Sequence, residues 1–127
     1  MIDHVSIAVR DLTASARFYE AVLGALGFAK LVERPGTVGF GKKYPEFWLN
    51  ERRAMSPVDP DSGTHVCLRA PDTAAVAAFH AAALAAGGRS DGAPGLRPEY
   101  TAGYYAAFVR DPEGNCIEAV TFVKAPA

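Results

Sequence analysis

An internal repeat divides the sequence into two similar halves. Shifting the chain on itself by 61 residues aligns His4 with His65 and Asp11 with Asp72, and no gap is needed over roughly 25 residues. The same offset superposes further pairs: Val5 on Val66, Phe18 on Phe79, Ala21 on Ala82, Leu23 on Leu84 and Gly27 on Gly88. Since 127 residues suffice for about one domain of ordinary size, both copies must share a single domain.

Each half is predicted to begin with a strand followed by a helix. Residues 2–9 and 64–70 have the period-two alternation of a strand. Asp11 and Asp72 then stand where helix N-caps belong, and glycines end each helix, at Gly24 to Gly27 and at Gly87–Gly88. Six apolar side chains are expected on the buried faces of the two helices: Leu12, Phe18, Val22, Val76, Phe79 and Leu84.

Short strands separated by turns are predicted to complete each half. They are residues 28–33, 37–41 and 46–50 in the first half, and 89–92, 104–110 and 115–123 in the second. Residues 93–103 are interpreted as a loop, and the segment from Asp111 to Gly114 as a hairpin turn. We therefore expect one α+β domain over 1–127, made of module 1 (about 1–51), a linker (52–63) and module 2 (about 64–124).

Composition and charge exclude several classes of protein. The net charge is −1 and the only basic doublets are Lys42–Lys43 and Arg52–Arg53, so no nucleic-acid partner is expected. No run of about 18 apolar residues occurs, and therefore no membrane span is expected. The residues from Met1 to His4 lack the features of a signal peptide, which predicts a cytoplasmic protein. Cys67 and Cys116 are expected to be free thiols that act as small buried hydrophobes.

Two of the three histidines occupy the same position in the two repeats. A pseudo-two-fold relation between the halves is able to bring His4 and His65 together. The last predicted strand contains one charged residue, Glu118, in an otherwise apolar run, and a buried carboxylate is costly unless it is paired or bound to a cation. Two imidazoles and one carboxylate form a facial triad for a divalent metal. His80, on the second helix, is expected to take no part.

Two segments of the sequence resemble the vicinal oxygen chelate superfamily, which comprises glyoxalases, bleomycin-resistance proteins and extradiol dioxygenases. The first runs from His4 to Leu12 and is followed by Phe18–Tyr19 and Leu23–Gly24. The second runs from Phe108 to Glu118. The resemblance covers nearly the whole chain and implies two βαβββ modules that form a curved mixed-sheet cup, with the helices outside.

The resemblance also implies a metal site on the first and last strands of both modules. Its ligands fall on His4, His65 and Glu118, with Glu118 central to catalysis, and the ion would be Fe, Mn, Zn or Ni. Matching the two last strands places Leu49 at the fourth ligand position, with Glu46, Asn50 or Glu51 as substitutes only after a register shift. This loss disfavours a four-ligand glyoxalase site and is compatible with the three-ligand sites of extradiol dioxygenases and fosfomycin-modifying transferases.

The resemblance leaves two classes of function open. One is a small metal-dependent enzyme, whether a lyase or isomerase, a ring-cleaving dioxygenase or an antibiotic-modifying transferase. The other is a metal-free protein that sequesters a drug. In either class a small-molecule substrate or antibiotic is the expected partner, contacted by Trp48, Arg97, Tyr100 and Tyr104. We also expect a homodimer, because small modules with exposed sheet edges benefit from being covered.

Overall fold

Two four-stranded mixed sheets, each with one helix, form the protein, which confirms the predicted α+β fold of paired βαβββ modules. A computed structural model describes residues 1–124. Module 1 contains β1 (Val5–Val9), α1 (Leu12–Gly24), β2 (Ala29–Arg34), β3 (Thr37–Gly41) and β4 (Pro45–Glu51). Module 2 contains β5 (His65–Arg69), α2 (Thr73–Ala85), β6 (Arg89–Leu96), β7 (Tyr104–Arg110) and β8 (Cys116–Phe122).

The strand order is the same in both sheets. It is β1-β4-β3-β2 in module 1 and β5-β8-β7-β6 in module 2. The first strand of each module pairs in parallel with the last, and the remaining pairs are antiparallel. In module 2 this order places β8 between β5 and β7, so a side chain on β8 has neighbours on both sides. Glu118 occupies such a position.

The two helices repeat at the offset found in the sequence. Helix α1 starts at Leu12 and α2 at Thr73, and the carboxylates of Asp11 and Asp72 accept hydrogen bonds from the backbone N–H groups of Ala14 and Ala75. Each helix packs on its own sheet, and the helices also contact each other. Phe18 and Phe79 are buried in the common core, as the repeat predicts. Each helix has 13 residues, so neither can cross a membrane.

Four sequence-based expectations are wrong in detail. Leu84 is 48% exposed although its counterpart Leu23 is buried, because Ala83 takes the core-facing position on α2. Strand β6 continues to Leu96 rather than ending at Gly92, with register shifts that accommodate its glycines. Cys67 is exposed and Cys116 only partly buried, so neither thiol is a core hydrophobe, although both are free. Leu12 is half-buried.

The turn between β7 and β8 in module 2 forms hydrogen bonds with module 1, at helix α1 and just before it. Asp111 is buried and accepts hydrogen bonds from the Tyr19 hydroxyl at 2.6 Å and from the Asn115 backbone at 2.8 Å. Glu113 accepts a hydrogen bond from Arg10 at 3.0 Å. Burial and the adjacent Asp111 carboxylate raise the pKa of Tyr19, which keeps its hydroxyl a donor. These contacts lock the turn that precedes Glu118 onto the other module.

Gly88 lies close to both Phe18 of α1 and Arg110 of β7, and its replacement by alanine should destabilise the protein. A Cβ atom there would lie 2.7 Å from the Arg110 carbonyl oxygen and 2.7 Å from the Phe18 ring. Overpacking of this kind costs about 1–3 kcal/mol in the free energy of unfolding. Gly24→Ala, in a helix with open space around it, is the control and should be neutral or stabilising. Urea denaturation compares the two; equal stabilities would contradict the packing described.

Candidate functional site

His65 and Glu118 come together in module 2, as the sequence predicts. The Nε2 atom of His65 lies 3.0 Å from Oε1 of Glu118. His65 begins β5 and Glu118 is in the middle of β8, and the parallel register that pairs Cys67 with Glu118 brings the two side chains to one face of the sheet. Glu118 is only 2% exposed, whereas His65 is open to solvent on one side. The pair is therefore a buried carboxylate with an accessible imidazole.

Aromatic side chains surround this pair and form a cavity of about 430 Å³ lined by His65, Tyr100, Tyr104, Phe108 and Glu118. The Tyr104 hydroxyl donates a hydrogen bond to Oε2 of Glu118. Burial and this hydrogen bond raise the pKa of Tyr104, so its proton stays in place at neutral pH. The Tyr100 ring, whose residue is exposed, packs edge-on against Tyr104 with centroids 5.1 Å apart. Tyr100 and Tyr104 thus line the cavity beside the His65–Glu118 pair.

Cys67 lies beside the pair on β5, directly across from Glu118. The residue is exposed overall, but partial burial of its sulfur, followed by the nearby Glu118 carboxylate, raises the pKa of the Cys67 thiol to about 12. The protonated thiol is a poor nucleophile. We therefore assign Cys67 no role as a nucleophile at neutral pH.

His4 does not line this cavity in the same chain. It lines a groove of about 310 Å³ with Tyr44, Glu46 and residues 66–68 of β5, and its Nδ1 atom lies 2.6 Å from Oδ1 of Asp3. His65 instead lines a groove with Ile7 of β1. Residues of β1 and β5 therefore share the walls of both grooves, with His4 in one groove and His65 in the other. Within one chain, the structure joins two of the three predicted ligands.

Trp48, and not Leu49, is the counterpart of Glu118 in module 1. The register pairs Ser6 with Trp48 in the same way that it pairs Cys67 with Glu118, and Ser6 and Cys67 are equivalent in the repeat. Leu49 faces the opposite side of the sheet and is fully buried in the core. The assignment of Leu49 to the fourth ligand position is therefore wrong by one residue, because strand alternation places it on the other face.

The Trp48 ring packs closely over β3 and away from the cavity of module 2. A Cβ atom on Gly39 would lie 2.8 Å from the indole, and the Arg34 guanidinium carbon lies 5.8 Å from the ring centroid. The fourth ligand position of module 1 thus holds an indole, which cannot bind a metal ion. A substrate contact by Trp48, as the sequence predicts, would have to be made on the face of module 1.

Phe108 supplies an aromatic wall of the cavity, as the sequence predicts. It lies directly opposite Glu118 on the neighbouring strand, and its ring centroid is 6.2 Å from that of His65. The position of the hairpin turn from Asp111 to Gly114 predicts that Phe108 lies opposite Glu118. Counting back from the turn along an antiparallel pair aligns position 108 with position 118.

The donor atoms of His65 and Glu118 suit two positions around a divalent ion. Ligand atoms that lie about 2.1 Å from an ion and at right angles to each other are about 3.0 Å apart, which is the separation found here. Imidazole and carboxylate are suitable donors for first-row metals. Within residues 1–124 of a single chain, however, no three His, Cys, Asp or Glu side chains gather into a metal-binding group. A third protein ligand would have to come from elsewhere.

The fold and the sequence together place the chain in a family. Residues 1–119 match the family profile of the glyoxalase/bleomycin resistance protein/dioxygenase superfamily. The chain belongs to this superfamily, which confirms the resemblance in its motifs. The superfamily contains both enzymes and bleomycin-resistance proteins, so membership alone leaves the activity open.

Solved structures share the fold over almost the whole chain. A glyoxalase/bleomycin resistance protein from Albidiferax ferrireducens T118 is 32% identical, with 93% of this chain and 96% of that chain covered and a TM-score of 0.83. A glyoxalase/bleomycin resistance protein/dioxygenase family enzyme from Burkholderia phytofirmans PsJN is 21% identical, with 96% and 98% covered and a TM-score of 0.73. The bleomycin resistance determinant of transposon Tn5 is 21% identical, with 94% and 95% covered and a TM-score of 0.63. No curated protein sequence is significantly similar to this chain.

Proposed function

We propose that the protein is a small metal-dependent enzyme that binds an oxygenated substrate at the His65–Glu118 pair. The observation that carries the proposal is the 3.0 Å separation of Nε2 and Oε1 in an aromatic cavity, with the carboxylate buried. A bound Fe, Mn, Zn or Ni ion would supply Lewis acidity to a substrate held through neighbouring oxygen atoms. Lyase or isomerase, ring-cleaving dioxygenase and antibiotic-modifying transferase chemistry all use such binding. The cytoplasm is the proposed compartment, in keeping with two free cysteines.

The protein side chains have separate tasks in this proposal. Glu118 supplies a negative charge through Oε1, while its Oε2 atom is held by the Tyr104 hydroxyl. Tyr104 therefore fixes the orientation of the carboxylate and leaves Oε1, which faces His65, as the oxygen that would bind a metal ion. Phe108 and Tyr100 supply apolar walls that exclude water from one side of the cavity.

We further propose that His4 of a second copy of the chain completes the ligand set in a homodimer. In one chain His4 lies apart from the pair, and it is accessible on the surface with its Nδ1 atom next to Asp3. A carboxylate partner on Nδ1 leaves Nε2 free as the metal-binding atom. A two-fold dimer would then hold two equivalent sites, each built from both chains.

Mixing two variants that each lack one proposed metal ligand tests this arrangement. His4→Ala and His65→Ala should each lose Mn²⁺ or Zn²⁺ retention after dialysis, measured by elemental analysis. Co-refolding them in equal amounts should restore about a quarter of the wild-type metal content, because half of the dimers are mixed and each has one intact site. No restoration would contradict a shared site. A wild-type protein that binds neither ion, or is a monomer by light scattering at micromolar concentration, would contradict the proposal itself.

A metal-free ligand-binding protein is the second candidate, and one observation favours it. Both oxygens of Glu118 already have hydrogen-bond partners, His65 and Tyr104, so the buried carboxylate needs no cation. The aromatic cavity suits a planar drug. In that case wild-type protein would bind a bleomycin-type ligand equally well before and after treatment with a chelator.

A further inference from the structure

Arg97 is a half-buried cation with no acidic partner. It follows β6, and its guanidinium donates hydrogen bonds to the carbonyl oxygens of Ala93 at 2.7 Å and Gly95 at 2.9 Å. Among the ion pairs formed within residues 1–124, none involves Arg97. Backbone carbonyls hold the side chain in place without neutralising it. A fixed and uncompensated positive charge is a ready anion-binding group.

The guanidinium of Arg97 lies over a side chain that lines the cavity. Its central carbon is 5.6 Å from the centroid of the Phe108 ring. Phe108 in turn lies directly across from Glu118 and near the His65 ring. One aromatic ring, that of Phe108, therefore lies between the positive charge and the His65–Glu118 pair.

Two glycines of β6 provide the space that Arg97 and Phe108 occupy. A Cβ atom on Gly92 would lie 3.0 Å from the Phe108 ring and 3.2 Å from a terminal nitrogen of Arg97. A Cβ atom on Gly95 would lie 3.3 Å from the other terminal nitrogen. Side chains at either position would therefore push the guanidinium or the ring away from the sheet.

These groups form a row across the open face of module 2. The strand register pairs Glu118 with Phe108 and Phe108 with Gly92, over which the Arg97 guanidinium lies. Adjacent strands are about 4.8 Å apart, so the backbones at Glu118 and Gly92 are roughly 10 Å apart, with Phe108 on the strand between them. An apolar ring lies between the two polar ends.

We propose that this row binds a small planar acid, with its carboxylate on Arg97, its apolar body over Phe108 and its oxygen-bearing end at His65 and Glu118. The Arg97 contact does not depend on a metal, whereas the role of the opposite end rests on the proposed function. The carboxylate pairs with the unused N–H groups of the guanidinium, and a flat body packs on the ring face. The substrate class is thus an unsaturated or aromatic carboxylic acid that carries neighbouring oxygens at its far end.

Binding of an acid and its uncharged ester tests the proposal. The probes are 3-(3,4-dihydroxyphenyl)propionate and its methyl ester, titrated by calorimetry into chelator-treated protein and into protein supplied with Mn²⁺. Wild-type protein should bind the acid at least about tenfold more tightly than the ester in both preparations. Arg97→Met should remove this preference without weakening the ester, and Arg97→Lys should retain part of it. Arg89→Met, at the exposed start of the same strand, is the matched control and should behave like wild type.

The outcomes separate this inference from the proposed function. Equal affinities of wild-type protein for acid and ester overturn the anion site, as does an Arg97→Met variant that keeps the preference, or failure of both probes to bind at millimolar concentration. The wild-type comparison needs no variant and so remains decisive if Arg97→Met does not fold. Acid preference that persists without any Mn²⁺ binding supports the Arg97 site while rejecting the metal-dependent enzyme. Mn²⁺ binding without acid preference supports the metal-dependent enzyme and rejects the Arg97 site.

Discussion

Replacing Asp111 with alanine should lower the free energy of unfolding by about 3–5 kcal/mol. The carboxylate is buried and accepts hydrogen bonds from the Tyr19 hydroxyl, the Asn115 side chain and the backbone N–H groups of Glu113 and Asn115. Alanine leaves the buried Tyr19 hydroxyl without a partner and removes the bonds that shape the β7–β8 turn. Urea denaturation followed by circular dichroism measures the loss.

Tyr19→Phe separates the contact between the modules from the turn itself. It deletes one hydrogen bond to a charged acceptor and keeps the ring in the core, so it should cost about 1.5–3 kcal/mol. Asp111→Ala should therefore be clearly the more destabilising of the two. If both variants lose the same amount, the turn contributes nothing beyond its bond to Tyr19, and the described role of Asp111 is refuted.

Replacing Glu118 with glutamine should weaken the retention of a divalent ion by at least about a hundredfold. The amide keeps the shape of the carboxylate but loses its charge. The Tyr104 hydroxyl can still donate to the amide oxygen, and the amide N–H₂ can donate to His65, so the free energy of unfolding should change by less than about 1 kcal/mol. Metal titration with Mn²⁺ or Zn²⁺ and a denaturation curve on the same sample measure both quantities.

Two variants outside the cavity serve as controls for that experiment. Glu113→Gln changes another poorly exposed carboxylate, which holds Arg10 rather than His65, and His80→Ala changes the histidine that contacts Ser90. Both should keep the wild-type affinity for the ion. Metal retention that falls equally in Glu113→Gln and Glu118→Gln would show that loss of charge anywhere is sufficient, and the His65–Glu118 site would be rejected.

Most of the fold could be predicted from the sequence because the same strand–helix–strands pattern occurs in both halves. Asp11 and Asp72 cap helices that start 61 residues apart, and Phe18 and Phe79 fill equivalent core positions. Burial is not fully repeated, since Leu84 is exposed where Leu23 is buried. Two copies of one pattern need not pack identically, because each contacts different residues of the other.

Less of the candidate site could be predicted from the sequence, because its geometry depends on strand register. The repeat points to His65, and the apolar strand points to Glu118, since a buried carboxylate needs a partner; the structure brings the two side chains together. Leu49 was misplaced because a one-residue error in alignment moves a side chain to the opposite face of a sheet. The separation of His4 from His65 depends on how the two modules face each other, which no local pattern encodes.

The parallel pairing of β5 with β8 has a consequence for the order of folding. Strands β7 and β8 are joined by a short turn, whereas His65 and Glu118 are separated by 53 residues of chain that must close into a loop. Local hairpins form before contacts with large loop-closure entropy, so we expect the β5–β8 ladder to form late. Contacts absent from the transition state govern unfolding more than folding. A ligand that bridges His65 and Glu118 should therefore lengthen the lifetime of the native state and leave its rate of formation almost unchanged.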